Sequence, residues 1–129
     1  MAFEVNFYKT ADGYCPVETF FNSLDKKMVA KLLKGVILLE EFGNELREPY
    51  SKSLDNGIFE LRAKHSSNIT RVLYFFIENH KIILTNGFVK KSQKTPISEI
   101  EKAKNYRTDY LKRKEQCLWA ISENILIKN

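Results

Sequence analysis

The sequence predicts an α+β domain in which helices lie on one face of a small antiparallel sheet. Three observations carry this prediction. Apolar and polar residues alternate near the N-terminus, apolar residues recur at helical spacing from residue 16 to residue 43, and three apolar runs with short connections follow between residues 58 and 89. Short connections favour an antiparallel meander, because parallel neighbours require long crossovers. A single layer of helices would leave the opposite face of the sheet free to carry a site.

The N-terminal third is expected to form one strand and a helical hairpin. Residues 3–8 alternate between apolar and polar side chains, which is the period of a half-buried strand. Pro16 follows turn residues and can occupy the first turn of a short helix that reaches about Leu24. Asp25 is a typical N-cap residue and Gly43 is typical of the position after a helix, so a longer helix is expected between them.

The remainder of the chain is expected to form three strands and a C-terminal helix. The strands are predicted at residues 58–63, 70–77 and 81–89, after a loop at residues 44–57. Pro96 can begin a helix that reaches about Lys114. The whole chain, residues 1–129, is expected to be one domain, with residues 115–129 as an extra C-terminal tail. The apolar side chains of this tail either cap the core or contact a partner.

Composition excludes several classes of protein. With 43% hydrophobic and 12% aromatic residues the chain is too apolar for intrinsic disorder, and its apolar runs are too short to span a bilayer. The N-terminus has no basic region followed by an apolar stretch, so a cytoplasmic protein without a membrane partner is expected. The two cysteines lie far apart, and the two histidines lack neighbours at metal-ligand spacing. Neither a metal nor another cofactor is expected.

The positive charge is concentrated near the C-terminus. Residues 81–114 contain ten Lys or Arg against three Asp or Glu, whereas the formal net charge of the whole chain is +5. Within this stretch, Lys90, Lys91 and Lys94 come at the end of a predicted strand. Cations held at the end of a rigid strand can bind a phosphodiester, so nucleic acid is the favoured kind of ligand. The basic residues of the following helix are expected mostly to be solvated.

Two arginines on neighbouring predicted strands are further candidates for a functional role. Arg62 shares a face of its strand with Glu60, whereas Arg71 shares a face with apolar residues. The two arginines adjoin across the hairpin only if the strand register allows it. The alternative is that each arginine forms an ion pair with a nearby carboxylate, for which Glu60 is the obvious partner.

Three sequence blocks together resemble a known family. They are residues 52–62, which contain GIFELR, residues 70–76, which read TRVLYFF, and residues 86–96, which contain GFVKKSQKTP. Their combination resembles the RelE/HigB-like toxins of bacterial type II toxin–antitoxin systems, in particular a phage-derived, HigB-related branch. The resemblance extends over about residues 3–112 and implies a RelE-like fold and a ribosome-dependent mRNA endonuclease. It also implies two partners, a cognate antitoxin with a helix-turn-helix domain and mRNA on the ribosome.

The resemblance also assigns roles to individual residues. It implies catalytic roles for Arg62, Arg71, Lys90 and Lys91, and it adds Lys94 as a candidate for substrate binding. Cleavage of RNA without a metal requires attack of the ribose 2′-OH on its neighbouring phosphate, stabilisation of the developing negative charge, and two proton transfers. Arginine and lysine can supply the stabilisation. The acid and the base stay open, because the chain lacks a tyrosine and lysines that better-known RelE toxins carry. Tyr74 and His65 are the possible substitutes, either for substrate binding by stacking on a base or for proton transfer. The favoured alternatives are that Tyr74 packs in the core and that His65 lies in an exposed turn.

A second interpretation keeps the fold and removes the cleavage. ParE-like toxins resemble RelE in shape but act on DNA gyrase, and a basic module of this kind can also bind nucleic acid or a protein partner without any reaction. The endonuclease hypothesis requires Arg62, Arg71 and Lys90 or Lys91 to converge on one exposed concavity. An inhibitor or a simple binding module would tolerate their dispersal.

Overall fold

A five-stranded sheet forms the centre of the fold. The computed structural model describes residues 2–90 and 94–128. The strands are β1 (Glu4–Phe7), β2 (Ser51–Ser53), β3 (Phe59–His65), β4 (Asn68–Ile77) and β5 (Lys81–Lys90). They lie in the order β1-β5-β4-β3-β2. The α-helices of the described residues are α1 (Pro16–Asn22), α2 (Lys26–Phe42) and α3 (Ile97–Lys128). The α+β class predicted from the sequence is confirmed.

The sheet combines parallel and antiparallel pairing. β1 pairs in parallel with β5, whereas the pairs β2–β3, β3–β4 and β4–β5 are antiparallel. The expected antiparallel arrangement therefore holds for β2 to β5 but not for β1. The chain between β1 and β5 includes two helices and three strands, which is ample for the crossover that a parallel pair needs. β2 lies in a segment that was expected to be a loop, since its three residues, Ser-Lys-Ser, have no apolar alternation.

Helices α1 and α2 pack on one face of the sheet. The Asp25 carboxylate accepts a hydrogen bond from the backbone N–H of Met28 at 2.8 Å, which confirms the predicted N-cap of α2. Gly43 follows α2 with a φ of +52°, a conformation that residues with a Cβ rarely adopt. The buried residues of this face are Val17, Met28, Leu32, Leu39, Leu61, Ala63, Val72, Tyr74, Ile82 and Leu84.

Helix α3 covers part of the opposite face. Its residues Ala103, Tyr106 and Tyr110 pack in a cluster that includes Leu73 and Phe75 of β4. The prediction that all helices lie on one face of the sheet is therefore wrong. Periodicity within α3 indicates which of its sides is apolar, but it does not indicate which face of the sheet that side will cover.

Helix α3 is also longer than predicted. It continues to Lys128 as one helix instead of ending near Lys114, because the segment from residue 97 to residue 128 contains neither glycine nor proline to end it. Side chains from residue 114 to residue 125 are all exposed, so this part of the tail does not cap the core. None of the helices in the described ranges combines the length and the hydropathy that a membrane span requires.

Contacts between the end of β1 and the middle of α3 anchor this helix. The Tyr8 hydroxyl donates to the Asp109 carboxylate at 2.5 Å, and Arg113 Nε donates to the same carboxylate oxygen at 2.9 Å. The Arg113 guanidinium also lies 5.6 Å from the centre of the Tyr8 ring. Burial and the Asp109 carboxylate raise the pKa of Tyr8 to about 12, and the bonds from Tyr8 and Arg113 lower the pKa of Asp109.

Candidate functional site

The register between β3 and β4 brings the two candidate arginines together. Arg62 and Arg71 are direct cross-strand partners. Directly opposed residues of neighbouring strands project on the same side of a sheet, so both arginines belong to the face that carries α3. The sequence left this adjacency open, and the observed register makes the two arginines neighbours. Lys90 lies opposite Ile69 at the end of β5, two residues beyond the pairing of Phe88 with Arg71.

Arg71 is completely buried in a polar network. Its side chain is 0% exposed and that of Glu60 is 1% exposed, with 3.5 Å between Arg71 Nε and Glu60 Oε2. Arg71 Nη1 donates to Thr95 Oγ1 at 3.0 Å, and Thr95 Oγ1 donates to Glu60 Oε2 at 2.9 Å. Burial lowers the pKa of Arg71, Glu60 raises it, and the charge of Arg62 lowers it. The expected pairing of an arginine with Glu60 is found, and it involves Arg71.

Arg62 is the accessible member of the pair. Its side chain is 18% exposed, and its Nη1 lies 3.9 Å from Oε1 of Glu48, a carboxylate side chain that is itself 63% exposed. A long ion pair with so exposed a partner contributes little to stability and is readily exchanged for another anion. Arg62 can therefore contact a phosphate without the loss of a buried bond. This geometry separates the two arginines into one that can touch a ligand and one that supports the structure.

Of the three lysines at the end of β5 and after it, Lys90 and Lys94 lie within the described residues. Lys94 is exposed and directly precedes Thr95, which Arg71 and Glu60 hold in place. For Lys90 the backbone position is known, and Lys91 lies outside the described residues. The part of the expected cluster that can be located thus comprises Arg62, the buried Arg71 and the exposed Lys94. Because Arg71 is buried, it does not contribute to the exposed concavity on which the endonuclease hypothesis expected all of these cations to converge.

Tyr74 occupies a different environment from the one that a substrate contact needs. It is 1% exposed, and its side chain packs in the core on the α1 and α2 face. Its hydroxyl shares a short hydrogen bond with the Ser51 hydroxyl. Burial raises the pKa of Tyr74 to about 12, against a lowering by the Ser51 bond. The structure does not bring Tyr74 to the arginine pair, and His65 lies at the end of β3, three residues beyond Arg62.

Two polar residues that sequence reasoning left out hold the start of α3 against the sheet. Thr95 bridges Glu60 and Arg71, as described above. The buried Asn86 donates from Nδ2 to Oε1 of Glu99 at 3.1 Å and to the Glu99 carbonyl at 3.3 Å. Thr95 directly precedes Pro96, so its position in the sequence indicated only that a helix begins nearby. Its contact with two strand residues becomes visible only in the folded chain.

Comparison with known families completes the description of this site. Residues 19–108 match the phage-derived Gp49-like proteins (DUF891). The chain belongs to this family. Gp49-like proteins are a family of toxins from toxin–antitoxin systems, related to the RelE and HigB type. The match includes the three strands β3, β4 and β5 and therefore both arginines. No curated protein matches the chain.

Membership in the Gp49-like family implies an antitoxin partner. It also agrees with the resemblance to RelE/HigB-like toxins that the three sequence blocks indicated. The Gp49-like family consists broadly of nuclease-like toxins. Chemically, the site of this Gp49-like toxin offers a partly exposed arginine, an exposed lysine, and a buried network that connects the sheet to the start of α3. Such a surface is suited to binding phosphate oxygens.

Proposed function

We propose that this Gp49-like toxin is a ribosome-dependent mRNA endonuclease that stops translation and growth. The observation that supports the proposal most is the pairing of a partly exposed Arg62 with a buried Arg71 that fixes Thr95, the residue after Lys94. This arrangement holds cations from two separate segments against one end of the sheet. A rigid group of cations can stabilise negative charge without reorganising during the reaction.

The proposed reaction is an attack of the ribose 2′-OH on the adjacent phosphorus. The new P–O bond forms while the bond to the 5′-oxygen of the next nucleotide breaks, which leaves a 2′,3′-cyclic phosphate and a 5′-hydroxyl. One proton leaves the 2′-oxygen and one arrives at the 5′-oxygen. Arg62 would contact the phosphate oxygens, and Lys90, Lys91 and Lys94 would add positive charge around them. No metal takes part in this scheme, because the cations of the protein stabilise the charge.

Arg71 has a supporting role in this proposal. A fully buried guanidinium that is bonded to Glu60 and Thr95 cannot reach a phosphate unless the network opens. It would instead position the residues around Thr95, and with them Lys94, relative to Arg62. Arg71 is thus a positioning residue, in contrast to the direct transition-state contact that the family resemblance implies.

We further infer that the cognate antitoxin carries a helix-turn-helix domain and that the toxin acts in the cytoplasm, where ribosomes translate mRNA. Family membership supports the existence of an antitoxin. The helix-turn-helix domain and the location follow from the sequence resemblance and from the proposed substrate.

Primer extension on mRNA from cells that express the chain tests the proposed function. Expression should arrest growth and produce new cDNA ends inside translated codons. The matched control is the same reporter mRNA with its start codon removed, which should remain intact because it is not translated. Arrested cells in which the reporter mRNA stays uncut would overturn the proposal, and a change in plasmid supercoiling in those cells would support gyrase inhibition.

A further inference from the structure

A basic pocket of about 430 Å³ lies between helix α2 and the edge of strand β3. Its walls come from α2, from the chain that leads into β2, from the end of β3 and from the start of β4, so it extends away from the arginine pair and shares only Arg62 with it. Four cationic residues from two of these elements line it, namely Lys31, Lys34, Arg62 and Lys64. A volume of this size is within the usual range for small-molecule sites and is sufficient for a mononucleotide.

The charges around the pocket favour an anion. Lys31 Nζ donates to the backbone carbonyl oxygen of Lys64 at 2.7 Å, which draws this ammonium group towards the end of β3. None of the described lining residues carries a carboxylate, and Glu48 meets Arg62 only at 3.9 Å. Strand alternation directs the side chains of Arg62 and Lys64 to the α3 side of the β3 edge, whereas Lys31 and Lys34 belong to α2 on the other side, so the four cations lie around the pocket from both faces of the sheet. Repulsion between like charges around one site is relieved when an anion binds among them.

The remaining walls are apolar and include an aromatic ring. Tyr50 is 47% exposed at the pocket, and Leu38 and Ile69 contribute aliphatic surface. Contact with these apolar walls does not stabilise a bound inorganic anion. A nucleotide uses both parts, since its phosphate is attracted to the cations while its base stacks on an aromatic ring.

We propose that this pocket binds one nucleotide of single-stranded RNA, with its phosphate towards Lys31, Lys34 and Arg62 and its base against Tyr50. Arg62 lines the pocket and is also the cross-strand partner of Arg71. An RNA strand bound at the arginine pair can therefore continue across Arg62 into the pocket. Binding of a nucleotide does not depend on cleavage; only the position of the pocket along the cleaved strand rests on the proposed function.

Fluorescence anisotropy with a labelled, 2′-O-methylated RNA hexamer tests the proposal, because this RNA binds without being cleaved. Tyr50→Ala should weaken binding at least about fivefold, the loss expected for one stacked base, whereas Tyr50→Phe should keep the affinity. Lys34→Ala should weaken binding and reduce its salt dependence by about one phosphate contact. The matched control is Lys114→Ala, which removes an exposed lysine from α3 on the other side of the sheet.

Unchanged affinity in both Tyr50→Ala and Lys34→Ala would overturn the proposal. A glutamate-rich peptide of the same charge is the second probe: if Tyr50→Ala weakens peptide and RNA equally, the pocket attracts anions and does not recognise a base. Failure of the pocket proposal can be distinguished from failure of the proposed function. If the wild-type protein cuts no mRNA but Tyr50→Ala weakens RNA binding, the pocket proposal holds and the endonuclease proposal fails. If the wild-type protein cuts mRNA but neither Tyr50→Ala nor Lys34→Ala changes RNA affinity, the endonuclease proposal holds and the pocket proposal fails.

Discussion

Arg62 and Arg71 lie directly opposite each other on β3 and β4, yet Arg62 forms an ion pair with an exposed carboxylate whereas Arg71 is completely buried. The difference arises from their neighbours. Arg71 is surrounded by strands and by the segment that contains Thr95, whereas Arg62 extends towards the loop of Glu48. Substitutions at the two positions should therefore have different effects, one on stability and the other on activity.

Replacing Arg71 by alanine is expected to destabilise the protein by about 3–5 kcal/mol. The substitution leaves Glu60 buried without its guanidinium partner, and an uncompensated buried carboxylate is costly. Urea denaturation followed by circular dichroism measures the change. The double variant Glu60→Leu with Arg71→Met removes both charges together and should lose much less stability. An Arg71→Ala protein as stable as the wild type would disprove the structural role.

Replacing Arg62 by alanine is expected to lower the melting temperature much less than replacing Arg71, because its ion pair with the exposed Glu48 is long and the main loss is the packing of its aliphatic part. Under the proposed function, the same change should reduce the rate of mRNA cleavage by about a hundredfold, which is the usual effect of losing one contact to transition-state charge. Arg62→Lys keeps the charge without the planar fork and should recover part of the rate. Full cleavage by Arg62→Ala would remove this residue from the mechanism.

The Asp109 carboxylate should make stability depend on acid pH. Its pKa is lower in the folded protein than the ordinary value of 3.8, mainly because of its bond with the Tyr8 hydroxyl and then of its bond with Arg113. The unfolded chain therefore binds more protons as pH falls through this region, so the stabilisation is complete above pH 3.8 and is lost below it. The difference in melting temperature between wild type and Asp109→Asn should be largest near neutral pH and should become smaller as pH falls below 3.8. A difference that is constant with pH would contradict this account.

Removing residues 115–129 is expected to change the melting temperature by no more than about 2 °C. Side chains from residue 115 to residue 125 are all exposed, so they add little to the core. Differential scanning calorimetry compares this truncation with one that ends at Arg107, which also removes Asp109, Tyr110 and Arg113. The shorter protein should have a much lower melting temperature, since it loses the contacts that anchor α3. A large shift for the first truncation would mean that the tail stabilises the fold.

Local signals explain the parts of the fold that could be predicted. Asp25 and Gly43 define the limits of α2, and short turns separate the three central strands, so each of these elements is recognisable within a few residues. The parallel pairing of β1 with β5 and the position of α3 depend on which distant surfaces meet. Nothing in residues 4–7 alone indicates their partner strand.

The candidate site divides in the same way. The placement of Arg62 and Arg71 on two neighbouring strands could be predicted, but their direct pairing depends on the register, which the sequence left open. The burial of Arg71 does not, because it requires Thr95 to reach Glu60 across 35 residues of chain. Tyr74 illustrates the converse: it alternates correctly along β4, but only the packing of α1 and α2 shows that its face is closed to a ligand.

The anchor of α3 has a consequence for how the protein comes into existence. Tyr8 and Asp109 are 101 residues apart, and Arg113 donates to the carbonyl oxygen of Lys9 across 104 residues. Contacts between such distant parts of a chain form late, because the entropy of closing a large loop must be overcome first. The contacts of Tyr8 and Lys9 with α3 can therefore form only after residue 113 has been synthesised, so any toxicity that depends on the anchored helix cannot precede that point of translation.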